Sequence, residues 1–180
     1  RVAASRAAAR SRLDAAGSLV RLAAQDRSRW DAELIAEGHR LVRAYRRRNR
    51  PGPFQIQAAI AAVHGDAPTW IDTDWSQIVT LYDQLLAVRP NPVVALNRAV
   101  AIAERDGPAI GLTVLAGLER LDGYQPYHAT YADLLARTGR TSEARDAYDR
   151  AIELTTNSAE RRFLERQRTR LSRPTFDSRE

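Results

Sequence analysis

The sequence predicts an all-α protein, a stack of short helix hairpins. Three observations predict it. Apolar residues recur at helical spacing, helix-start and helix-stop residues punctuate the chain at regular intervals, and one turn phrase repeats. The 180 residues make room for one large domain. The longest apolar run, residues 58–63, is too short to span a bilayer, and the N-terminal stretch lacks the apolar core of a signal peptide. A cytoplasmic protein without membrane contact is expected. There is no Cys, which excludes disulfides, thiolate metal sites and a Cys nucleophile.

Residues 1–11 are Ala-rich, with Arg6 and Arg10 four apart, and read as the end of a helix begun earlier in a longer chain. Residues 12–22 carry the one strand signal, a small hairpin with its turn over Asp14-Ala15-Ala16-Gly17. Residues 1–24 therefore form an N-terminal cap, 25–173 the helical-repeat domain, and 174–180 a frayed tail after Arg173-Pro174. Asp26 or Ser28 is placed to cap a long helix whose apolar face is Trp30, Leu34, Ile35, Leu41, Val42 and Tyr45. That helix stops before Pro51-Gly52-Pro53. Further helices fit residues 54–64, 74–88 (capped by Thr73 or Asp74), 93–105, 108–121, 127–138, 141–155 and 158–171.

The repeat appears on sliding the chain by 40 residues. Ala59, Ala61, Asp66 and Pro68 then fall on Ala99, Ala101, Asp106 and Pro108. A further offset of 32 lays Arg137-Thr138-Gly139-Arg140 on Arg105-Asp106-Gly107-Pro108. Each unit is a helix of small residues, a tight turn, and a helix with larger apolar residues. This is the grammar of a tetratricopeptide-like helical-hairpin solenoid, in which small residues let paired helices approach and an aromatic fills the gap to the next pair. Ala132, Ala144, Tyr148 and Ala151 occupy those small and aromatic positions in the last unit. The repeat's usual Trp and Gly are absent from the first helix, so the units are degenerate, and an irregular helical bundle is the competing description.

The phrases Gln25-Asp26-Arg27-Ser28-Arg29-Trp30-Asp31, Gly52-Pro53-Phe54-Gln55-Ile56-Gln57, Asp72-Thr73-Asp74-Trp75, Val94-Ala95-Leu96-Asn97-Arg98-Ala99, Leu121-Asp122-Gly123-Tyr124 and Ala159-Glu160-Arg161-Arg162-Phe163-Leu164 stand in an order similar to one protein group. Over residues 5–171 the chain resembles the C-terminal extension of a group of bacterial extracytoplasmic-function sigma factors of RNA polymerase. Such proteins carry two sigma domains first and a tetratricopeptide-like extension after them. The resemblance implies a regulatory module in transcription initiation, with the sigma core domains and RNA polymerase as partners and promoter DNA reached through N-terminal domains that this sequence does not contain. The start at Arg1, without Met, reads as a fragment of such a protein, although a stand-alone relative fits the same phrases.

The chemistry-bearing residues favour binding over catalysis. His39, His64 and His128 are scattered, without a metal-ligand partner at i+4 or a nucleophile motif, and His64 stands where an imidazole can cap a helix C-terminus. No enzyme activity, cofactor or metal is expected. All 28 basic residues are Arg and the formal charge is +6. In an Ala-rich, Met-free chain this reflects GC-rich coding, and the charges interleave with Asp and Glu. Arg46, Arg47, Arg48 and Arg50 form a basic cluster suited to sequence-blind phosphate contact, or to neutralising a helix dipole. In a hairpin stack the concave face is lined by the first helix of each pair. Gln57, Asn97 and Arg98 are the polar residues of such helices, suited to hold a partner's backbone or to tie helix to helix. A general peptide-binding scaffold outside transcription is the alternative function.

Overall fold

The computed structural model describes residues 20, 22–33, 35, 36, 40, 52–119 and 121–171. The predicted helix end at 1–11, most of the hairpin at 12–22, His39, most of the long helix's apolar face, Arg46, Arg47, Arg48, Arg50 and the tail at 174–180 lie outside these residues.

Among the described residues the regular structure is entirely helical. Seven α-helices follow one another: α1 Pro53–Asp66, α2 Trp75–Val88, α3 Pro92–Asp106, α4 Pro108–Ala116, α5 Gln125–Arg137, α6 Thr141–Leu154 and α7 Ser158–Arg170. None is long and apolar enough to cross a membrane. The starts follow from local chemistry. Proline sits in the first turn of α1, α3, α4 and α5, where its missing N–H costs nothing. Asp74, Asn91 and Asn157 accept from free first-turn amides of α2, α3 and α7.

Hairpin turns fall where the repeat places them. Gly107 between α3 and α4 has φ 99°, and Gly139 between α5 and α6 has φ 78°. Both are backbone conformations that L-residues rarely adopt. The first copy of the phrase behaves differently. Pro68 opens a loop over 67–74 instead of a helix, so α1 and α2 are joined by a longer connection.

Consecutive helices pack on one another, and α3 also touches α5, the first helix of the following hairpin. Two apolar clusters result. Ile56, Ile60 and Val63 of α1 meet Ile78, Val79 and Leu85 of α2 together with Ala101 and Ile102 of α3. On its other side α3 presents Leu96, Ala99 and Ala103 to Leu112, Leu115, Leu134, Leu135 and Tyr148. Small residues make this two-sided burial of α3 possible. A Cβ on Gly111 of α4 would stand 2.4 Å from the Ala103 Cβ, so these backbones approach as closely as glycine permits. Ala132, Ala144 and Ala151 are fully buried and Tyr148 nearly so, as the repeat reading of the last unit requires.

Three expectations are corrected. Leu22, the last residue of the expected hairpin, opens a 3-10 turn, Leu22–Ala24, and is not in a strand. Trp30 does not lie inside the long helix. Asp26 caps a separate 3-10 turn, Arg27–Arg29, and Trp30 ends it in extended conformation. Asp31 opens the helical stretch that follows, since its side chain accepts from the Glu33 amide and its carbonyl from the Ile35 amide. Finally, α4 stops at Ala116 and not at Leu121. Gly117 weakens the helix and the Leu118 amide closes a tight turn on the Leu115 carbonyl, which lets Leu121 fold back into the core.

Candidate functional site

The first helices of successive hairpins, α3 and α5, together with α7 border an open groove of about 430 Å³. Val100 and Glu104 project from α3 at i, i+4 spacing. Ala129, Asp133 and Arg137 come from α5 at the same period, so each helix contributes one stripe. Phe163 of α7, Trp70 of the 67–74 loop and Ala23 complete the lining. A second hollow of about 310 Å³, bordered by Val20, Gln125, Pro126 and Glu160, continues it and shares Ala129, Thr130 and Phe163.

One polar chain crosses the larger hollow. The Trp70 indole N–H donates to Glu104 Oε2 at 3.0 Å, and the Arg137 guanidinium donates to Glu104 Oε1 at 2.5 Å. Asp133 stands 3.8 Å from the same guanidinium, one turn along α5. Glu104 is thereby held by two donors from separate elements, which fixes its carboxylate at the groove wall.

Behind Trp70 lies an aromatic knot. The Trp70 and Trp75 ring centres are 4.5 Å apart, and the His64 ring stacks on Trp70 at 6.2 Å and meets Trp75 edge-on at 5.4 Å. Arg27 closes the knot. Its guanidinium donates to the His64 and Ala67 carbonyls at the end of α1, at 2.9 and 2.8 Å, and to the Thr73 hydroxyl at 3.1 Å. It lies 5.3 Å from the Trp30 ring centre and 5.9 Å from that of Trp70. Burial first, and then the Arg27 charge, lower the His64 pKa to about 4. Burial likewise lowers that of Arg27, with Asp72 opposing the shift, and raises the Tyr82 phenol to about 12. His64 is thus a largely buried ring packed between Trp70 and Trp75, where burial disfavours its charged form, and not the surface or capping histidine expected. His128 does bond backbone, with Nε2 2.8 Å from the Asp122 carbonyl.

The predicted contact residues are only partly assembled. Asn97 is exposed and lies on the same face of α3 as Val100 and Glu104, although it is not itself among the residues that line the groove. Arg98 points elsewhere, with its Nε donating to Asp83 of α2 at 2.5 Å. Gln57 sits half-buried on α1, away from the groove lining. Sequence reasoning missed Glu104, Asp133 and Arg137, whose shared face is periodic but whose convergence is tertiary. The arginines of α7 also find partners off their own helix. Arg168 pairs with Asp149 of α6 at 2.6 Å, and Arg161 donates to the Thr155 carbonyl at 2.8 Å.

Comparison with known proteins adds three findings. Residues 2–46 match a family of unknown function (DUF6596), a stretch that lies mostly outside the described residues. An uncharacterised protein of Rhizobium meliloti (strain 1021) is 47% identical over 160 residues, which cover 88% of this chain and 38% of that protein. The chain therefore spans well under half the length of the curated relative it matches. No solved structure matches it at a significant level.

Proposed function

We propose that this chain is a protein-interaction module, the C-terminal regulatory extension of an extracytoplasmic-function sigma factor. It acts in transcription initiation through contacts with the sigma core, RNA polymerase or a regulator. One observation carries the binding role: an open groove running along the first helices of stacked hairpins, walled by side chains from three helices. The ordered phrases shared with sigma-factor extensions support the transcriptional setting, and the much greater length of the Rhizobium relative is compatible with further domains beside such a module. The setting is cytoplasmic, where polymerase works.

Mechanistically, docking shifts activity only if the partner prefers one state of the whole protein. Deleting residues 25–173 from the full-length protein changes promoter output in a reporter assay. Unchanged output, or a gene that encodes no sigma domains upstream of Arg1, overturns the transcriptional reading and leaves a general helical-repeat scaffold that uses the same groove.

A further inference from the structure

The groove has a chemistry opposite to that of the chain. Among the described residues, the titratable lining of the two hollows is Glu104, Asp133, Glu160 and Arg137, three carboxylates against one guanidinium, in a chain of formal charge +6. Arg137 is itself held on Glu104, so the wall presents a net negative field to an occupant. Between these charges the floor is apolar: Val100, Ala129, Leu134 and Phe163. The two hollows are adjacent, sharing Ala129, Thr130 and Phe163, and both are open to solvent. That shape suits a length of polypeptide better than an enclosed small molecule.

From this charge complementarity we infer that the groove takes a basic, apolar peptide segment of a partner protein. The small apolar side chains of that segment lie on the α5 and α7 floor, and its arginines or lysines face Glu104, Asp133 and Glu160. The inference rests on the interaction-module reading and names the partner's chemistry within it. A nucleic-acid strand does not suit this face, because its phosphates would meet the same carboxylates.

The test uses the whole 180-residue chain and a fluorescein-labelled Leu-Arg-Ala repeat peptide, with a Leu-Glu-Ala repeat as control, read by anisotropy. Thr130, half-buried where the hollows join, separates charge from bulk through Thr130→Gln, Thr130→Glu and Thr130→Arg. The expected result is binding of the arginine peptide alone. Added salt weakens it, Thr130→Arg weakens it by about tenfold, and Thr130→Glu does not. If Thr130→Arg does not fold, Asp133→Asn replaces it, with weaker binding expected. Equal binding of the acidic peptide, equal affinity of the Arg and Glu variants, or no binding at all overturns the inference. The two readings fail separately. Ordered peptide binding with promoter output indifferent to deletion of residues 25–173 sinks the sigma-factor setting alone. Loss of promoter output in Thr130→Arg without any binding of the arginine peptide sinks the partner class alone.

Discussion

His64 makes the protein's stability fall in mild acid. Its ring is packed among Trp70, Trp75 and the Arg27 guanidinium, and its buried Nδ1 has no hydrogen-bond partner among the described residues. Protonation there sets a cation in a largely buried site beside another cation. The pKa therefore drops from 6.5 in a free chain to about 4 in the fold. Between those values the unfolded chain takes up a proton that the folded chain refuses. Stability is thus complete above pH 6.5, declines as pH falls toward 4, and levels off below it. A shift of this size is worth about 3 kcal/mol, at about 1.4 kcal/mol per pH unit. His64→Phe keeps the ring stacking and removes the titration. Urea unfolding followed by far-UV circular dichroism, on both proteins at a series of pH values from 7.5 to 4, isolates the effect. The two proteins differ only at position 64, so the difference between the curves belongs to His64. The variant should gain on the native chain by about 3 kcal/mol across that range. Parallel pH profiles for the two proteins refute the buried, neutral histidine.

Three further perturbations probe the frame. Gly107 combines φ 99° with ψ 158°, a conformation nearly confined to glycine, so Gly107→Ala costs about 1–3 kcal/mol by thermal melting even though no atom crowds the new methyl. Gly111→Ala fails for the opposite reason. The backbone there is ordinary helix, but the methyl meets Ala103 at 2.4 Å and Leu134 at 3.0 Å, and overpacking costs about 1–3 kcal/mol in urea melts. Arg27→Lys keeps the charge and loses the fork that spans two carbonyls and a hydroxyl. A loss of about 1–3 kcal/mol is expected, together with a change in tryptophan emission from the aromatic knot; emission and stability equal to the native chain contradict the role given to Arg27.

Much of this fold is legible in the residues because its signals are local. Asp74, Asn91, Asn157 and the first-turn prolines mark helix starts through bonds made within a few residues, and Gly107 and Gly139 mark turns through their own backbone freedom. Ala132, Ala144, Tyr148 and Ala151 reveal the packing of the last hairpin because small and aromatic side chains at fixed offsets have few other ways to pack. The groove is half legible. Helical period points to the α3 face carrying Asn97, yet Glu104 gains meaning only from Trp70, 34 residues away, and Arg137, 33 residues away. Arg98 shows the converse, since an apparent partner-binding cation is drawn to Asp83 of the preceding helix.

Sequence alone therefore determined the helical class, most helix starts and their caps, and the turns at Gly107 and Gly139, since each depends on neighbours along the chain. Tertiary structure decided that Gly117 ends α4 early so that Leu121 can be buried. It also packed His64 between two tryptophans and gathered carboxylates from three helices around two adjoining hollows within a basic chain. Those outcomes depend on distance in space, which side-chain period along a single helix does not encode.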